Sequence, residues 1–123
     1  ELTLYPPTET KIEDDANEAC ISVLCSCGAF DLLTTADMDT AGKKRLLEAW
    51  TLPRLEVLLV GHHGSASSTS RELLEQTQPG VGIVSVGDNS YGHPTDEALR
   101  RLVQSGAEIY RTDLQGRIHI CVY

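Results

Sequence analysis

Apolar residues along this chain alternate between short runs of strand character and longer stretches in which they return every three or four positions. Leu2-Thr3-Leu4-Tyr5 alternates briefly and is broken by Pro6-Pro7, and a polar, acidic stretch follows to Asn17. Residues 1–17 therefore read as an edge strand and a surface loop. Residues 19–27 are apolar-rich, Gly28-Ala29 supplies a turn, and residues 30–35 continue as a second strand, predicting an antiparallel hairpin. A helix is expected from Thr40, with Ala41, Leu46, Leu47 and Trp50 inward, Lys43, Lys44 and Arg45 outward, and Leu52-Pro53 as its stop.

The pattern then gives a strand over 55–60, a helix over 69–78 stopped by Pro79-Gly80, and an unbroken apolar strand over 81–86. Thr95 caps a further helix; the third residue after it is Ala98, not Glu, so the cap is a simple one. Leu99, Leu102 and Val103 form its expected apolar stripe, and Ser105-Gly106 ends it. Two last strands, 107–111 and 117–123, are expected to be joined by Asp113-Leu114-Gln115-Gly116. Strand and helix alternate from Phe30 to Ile109, which predicts a single α/β domain: a mixed sheet flanked by helices, with antiparallel hairpins at both ends.

Chemistry collects where strands end. Leu58-Leu59-Val60 runs into Gly61-His62-His63-Gly64-Ser65, so a buried strand delivers two adjacent imidazoles to a sheet edge beside a small-residue loop. Asp37 follows the strand before it, and His93, in Tyr91-Gly92-His93-Pro94, follows the strand after it. Ligands gather beyond strand ends in layered α/β folds, so these three loops are expected to converge. A carboxylate with imidazoles is a ligand set for zinc, manganese or iron acting as a Lewis acid. Asp37 alone also suits a turn or cap, and His93 alone a proline-held loop. Buried adjacent imidazoles need hydrogen-bond or metal partners, which makes His62 and His63 the stronger candidates. Gly64, Ser65 and Asn89 are the candidate substrate contacts of the same loops. The Gly-His-His-Gly-Ser segment lacks the lysine and spacing of a phosphate-binding P-loop, and His119, between Ile118 and Ile120, is expected on a solvent face.

Composition narrows the partners. The 123 residues carry 18 acidic and 10 basic side chains, a net charge of −8, which opposes broad electrostatic capture of a nucleic-acid backbone. Action on phosphates would need a local offset, such as a bound divalent cation. No apolar run approaches the roughly 18 residues of a membrane span, so a soluble domain without a secretory signal is expected. Cys20, Cys25, Cys27 and Cys121 lack the paired spacing of a structural zinc site. Core packing is the expected role of the cysteines, with a disulfide to Cys121 as the alternative.

Leu32-Leu33-Thr34-Thr35-Ala36-Asp37, the block from Glu56 to Ser65, Tyr91-Gly92-His93-Pro94 and Tyr110-Arg111-Thr112-Asp113 together resemble the metallo-β-lactamase-like domain of ComEC-type DNA internalisation (competence) proteins. The resemblance runs from about Asn17 to the end. It implies half of an αββα sandwich and a hydrolase domain, a phosphodiesterase or nuclease, joined to a polytopic channel of the bacterial plasma membrane. It also implies single-stranded DNA or another phosphodiester as substrate, and an extracytoplasmic position. Asp37 matches the family's metal-bridging aspartate and His93 its last histidine ligand, with His62 and His63 beside the phosphate; an alternative alignment makes His62 the last ligand.

Two departures matter. The superfamily's His-x-His-x-Asp-His block has no counterpart, since no histidine precedes His62, and the family's threonine-glycine-aspartate is Thr35-Ala36-Asp37 here. The chain thus reads as the carboxy-terminal part of the domain, binding a divalent metal (zinc or manganese) weakly or not at all, and inactive by itself. An exposed sheet edge is expected to favour self-association. The competing readings are a non-catalytic α/β binding or interaction domain, or a metallo-hydrolase acting on another small phosphodiester or ester.

Overall fold

The computed structural model describes residues 1–8 and 16–123. Six strands lie side by side in chain order: β1 (Leu2–Tyr5), β2 (Ser22–Cys27), β3 (Phe30–Thr34), β4 (Val57–Leu59), β5 (Val81–Val84) and β6 (Glu108–Arg111). The β1–β2 and β2–β3 pairs are antiparallel, whereas β3 to β6 run parallel. Helices α1 (Thr40–Ala49), α2 (Arg71–Thr77) and α3 (Asp96–Gln104) are the crossovers between successive parallel strands, and α4 (Thr112–Gln115) follows β6. This is the mixed α/β sheet the sequence predicts, with its antiparallel hairpins confined to the amino-terminal side.

Each crossover steps one strand in the same direction, and such connections are right-handed, so all three helices fall on one face of the sheet. The core joins Leu24, Leu33, Leu58 and Val84 of the strands to Leu46, Leu73, Leu74 and Leu102 of the helices. A Cβ on Gly82 would lie 3.3 Å from Leu102 Cδ2, so β5 and α3 pack closely at the centre. The opposite face carries a second apolar set. Cross-strand register puts Leu2, Cys25, Leu32, Val57 and Val81 in one row and Leu4, Val23, Thr34, Leu59 and Ile83 in the next. None of these joins the helix-covered core, and Leu2 and Leu4 are 66% and 61% exposed. Among the described residues the molecule is half a sandwich: helices cover one face, and the other is apolar, open at Leu2 and Leu4 along the β1 edge and buried at Val57 and Ile83 in its centre.

Several expectations change. Residues 117–123 form no strand, and α4 stands where a turn was expected. Alternating residues make a strand only where a sheet edge receives them, and β6 pairs with β5 alone among the described residues. Lys43 does not point outward: it is wholly buried, and its ammonium donates to the Met38 carbonyl as its aliphatic stem passes under that loop. Ala41 is exposed instead. In α3 the buried residues are Ala98 and Leu102, while Val103 turns to solvent. The predicted strand at 19–27 starts only at Ser22, behind a 3-10 turn over Ala16–Ala19. All four cysteines are free. Cys20 packs against the core, Cys25 is half-buried, and Cys27, at the hairpin turn, is exposed, so core packing does not extend to it. The predicted loop segment 9–15 lies outside the described residues.

Candidate functional site

Three loops leave the carboxyl ends of β3, β4 and β5 and dock on one another at a single rim. Gly61 begins the β4 loop; a Cβ there would sit 2.8 Å from Thr35 Oγ1 and 3.1 Å from the Ala36 carbonyl oxygen. Glycine is therefore what lets the β3 and β4 loops touch, and the His62 amide then donates to that Ala36 carbonyl at 3.0 Å. Gly64 does the same on the other side. Its φ is +82°, a Cβ would fall 2.5 Å from Pro94 Cβ, and its carbonyl accepts the Thr95 amide at 2.9 Å. The β4 loop is thus wedged between the Asp37 segment and the His93-Pro94 segment.

Between the glycines, His62 and His63 both adopt left-handed backbone, with φ of 47° and 53°. A left-handed non-glycine residue costs on the order of 1 kcal/mol or more, and such residues persist only where their surroundings hold them. Ala36, across the rim, is left-handed as well, at φ 50°. The turn presents its imidazoles together with that of His93: ring centroids lie 5.6 Å apart for His62 and His93 and 6.4 Å apart for His62 and His63, both edge-on. His63 Nδ1 is 2.7 Å from the Ser85 carbonyl oxygen. A carbonyl only accepts, so Nδ1 carries the hydrogen, and Nε2 is left to accept a proton or, once protonated, to donate one.

Asn89 organises the third loop. Its Oδ1 accepts from the Tyr91 and His93 amides, both at 3.1 Å, and its Nδ2 donates to the Gly87 and His93 carbonyls at 3.0 and 2.8 Å. The amide is spent on holding His93 in place. Ser65, by contrast, is buried with its hydroxyl unpaired among the described residues, as are the hydroxyls of Thr35 and Thr69. Asp37 is half-buried on the loop whose carbonyl meets His62. His119 is exposed and far along the chain from the rim.

The donor set can be weighed against the metal that the resemblance implies. Among the described residues, no three His, Cys, Asp or Glu side chains come together to hold an ion. Catalytic zinc is held by three protein donors with a fourth position left for water or substrate, and the described residues alone do not bring three such side chains together.

Lys43 lies beneath the rim. Burial pushes its pKa down from the usual 10.5 to about 8, against the opposing pull of Asp39, Cys20 and Asp37. Asp39, two residues after Asp37, caps α1 by accepting the Gly42 amide at 2.7 Å. The structure brings the His62, His63 and His93 imidazoles together and docks the Asp37 loop on theirs through backbone; sequence reasoning missed what assembles these loops: Gly61, Gly64 and Pro94, Lys43, and Asn89 as a loop anchor. The available signals were the two glycines flanking the histidine pair and the Asn-Ser-Tyr-Gly turn sequence.

No protein-family model matches the chain. It is 36% identical over 114 residues to Competence protein ComA of Neisseria gonorrhoeae, a match covering 91% of this chain and 16% of that protein. It is 32% identical over 103 residues to ComE operon protein 3 of Bacillus subtilis (strain 168), covering 83% of this chain and 13% of the relative. With Recombination protein 2 of Haemophilus influenzae it shares 34% identity over 118 residues, covering 95% of this chain and 15% of the relative. The chain therefore spans only 13% to 16% of the length of these relatives. These homologues support a place for the chain, as one segment, in the family of competence proteins.

Proposed function

We propose that this chain is the carboxy-terminal part of a metal-dependent phosphodiesterase domain in a bacterial membrane protein of DNA uptake, acting on single-stranded DNA. The observation that carries this reading is the gathering of the His62, His63 and His93 imidazoles on strained, interlocked loops at one rim of the sheet. Imidazoles there can hydrogen-bond a phosphoryl oxygen, and one in its protonated form can deliver a proton to a leaving oxygen. His63, anchored through Nδ1, is best set for that transfer through Nε2. On this reading further metal donors come from the remainder of the longer protein. The apolar sheet face around Leu2, Leu4 and Leu59 is where that remainder packs.

The shortage of ligating groups among the described residues favours a second reading, a non-catalytic module whose imidazoles hold a phosphate. Cleavage of single-stranded DNA by the longer protein, assayed with and without zinc or manganese, separates the two. The hydrolase reading expects metal-dependent cleavage that falls about 100-fold or more in Asp37→Ala and His93→Ala. Retained binding with no cleavage under any metal condition would leave the second reading standing.

A further inference from the structure

Tyr91 is one of the largest apolar surfaces left in the open on this molecule, at 81% exposure. It is nonetheless a placed ring. Its amide is bound by Asn89 Oδ1, its loop is cross-braced by the other Asn89 bonds, and its ring lies 5.8 Å from that of His93 at an interplanar angle of 30°. His93 in turn stands edge-on to His62. The phenol hydroxyl has no hydrogen-bond partner among the described residues, so no contact of that group accounts for the ring's position.

We infer that Tyr91 is a stacking platform for a nucleobase adjoining the phosphate held at the rim, and so fixes preference for a base-bearing strand over other phosphodiesters. This deepens, and rests on, the phosphodiesterase reading. A tyrosine offers a large rigid surface with few torsions to freeze. A base lies within a few ångströms of its own phosphate, the separation that adjacent Tyr91 and His93 rings can serve. Stacking of this kind tolerates any base, because every base has a π-face.

The test measures binding of the 123-residue chain at low ionic strength to two dye-labelled strands of about 10 nucleotides, within the usual site size of single-strand binders. One is oligothymidylate and the other its abasic counterpart with the same phosphates. Tyr91→Ala is expected to weaken oligothymidylate binding about 5- to 100-fold and to leave the abasic strand unchanged, while Tyr91→Phe keeps the wild-type preference. Equal loss on both strands, no loss on either, or a wild-type chain that binds neither or does not distinguish them overturns the inference. The hydrolase reading fails separately, as absence of cleavage by the longer protein while the base preference of Tyr91 persists.

Discussion

The two ends of this sheet turn the chain in opposite ways. The β2–β3 hairpin turns at Gly28, which has φ +59° and nothing within 4 Å of where a Cβ would stand. The rim loop turns at Gly64, with φ +82° and Pro94 pressed against the same position. Three of the four left-handed non-glycine residues among those described, Ala36, His62 and His63, lie at the rim, and none lies in the hairpin. A turn that only reverses the chain can stay relaxed and solvated. One that must hold imidazoles side by side is strained and braced from both flanks, the usual mark of a functional constellation.

The sharpest way to break that contrast is the same substitution at both turns. Gly64→Ala is expected to cost about 2–4 kcal/mol, since strained backbone and a clash with Pro94 act together. Gly28→Ala should cost only about 1 kcal/mol, from backbone alone. Urea denaturation midpoints measure both, and equal costs would erase the distinction.

Lys43 extends the contrast to buried charge. Folded, it titrates near 8; unfolded, near its ordinary 10.5. Between those values the unfolded chain holds the extra proton, so stability should rise with pH from about 8 upward, by up to about 3 kcal/mol. Lys43→Met should flatten that rise, read from thermal unfolding across the window, whereas a flat wild-type profile would mean the ammonium is solvated.

Asn89→Ala removes the brace from the third loop at a cost of about 1 kcal/mol, because most of that loop is exposed. Its clearer readout is loss of the proton contacts between the His62 and His93 rings by NMR. The smallest effect has the opposite sign. Ala36→Gly relieves a left-handed alanine at φ 50° and should stabilise the fold by about 0.5–1 kcal/mol, read from the same urea midpoints.

Much of this architecture is legible in the residues. Apolar runs separated by helical periodicity give the parallel strands and their crossovers, and the Thr95 cap accepts the Ala98 amide as its spacing implies. The loops bearing Asp37, His62, His63 and His93 follow the strands as expected. What escaped is non-local. Periodicity sends every lysine outward, so it missed Lys43, whose burial depends on the Met38 carbonyl. Alternation in residues 117–123 looks like a strand whether or not an edge receives it. Gly64 meets Pro94 across 30 residues of chain, and the neighbours of a glycine cannot be read from its own position. Val103 lies one position beyond the stripe actually buried, within the usual uncertainty of a helical face.

The chain's four histidines supply the most direct test, since three stand on the rim loops and the fourth, His119, is an exposed residue of the carboxy-terminal segment. Imidazole NMR signals can be followed while the chain is titrated with a thymidine dinucleotide carrying one phosphodiester. If His62, His63 and His93 form one phosphate-facing site, their signals move along a single saturation curve while His119 stays still. Shifts of His119 equal to theirs, or rim histidines that do not respond, would contradict a phosphodiester site at this rim.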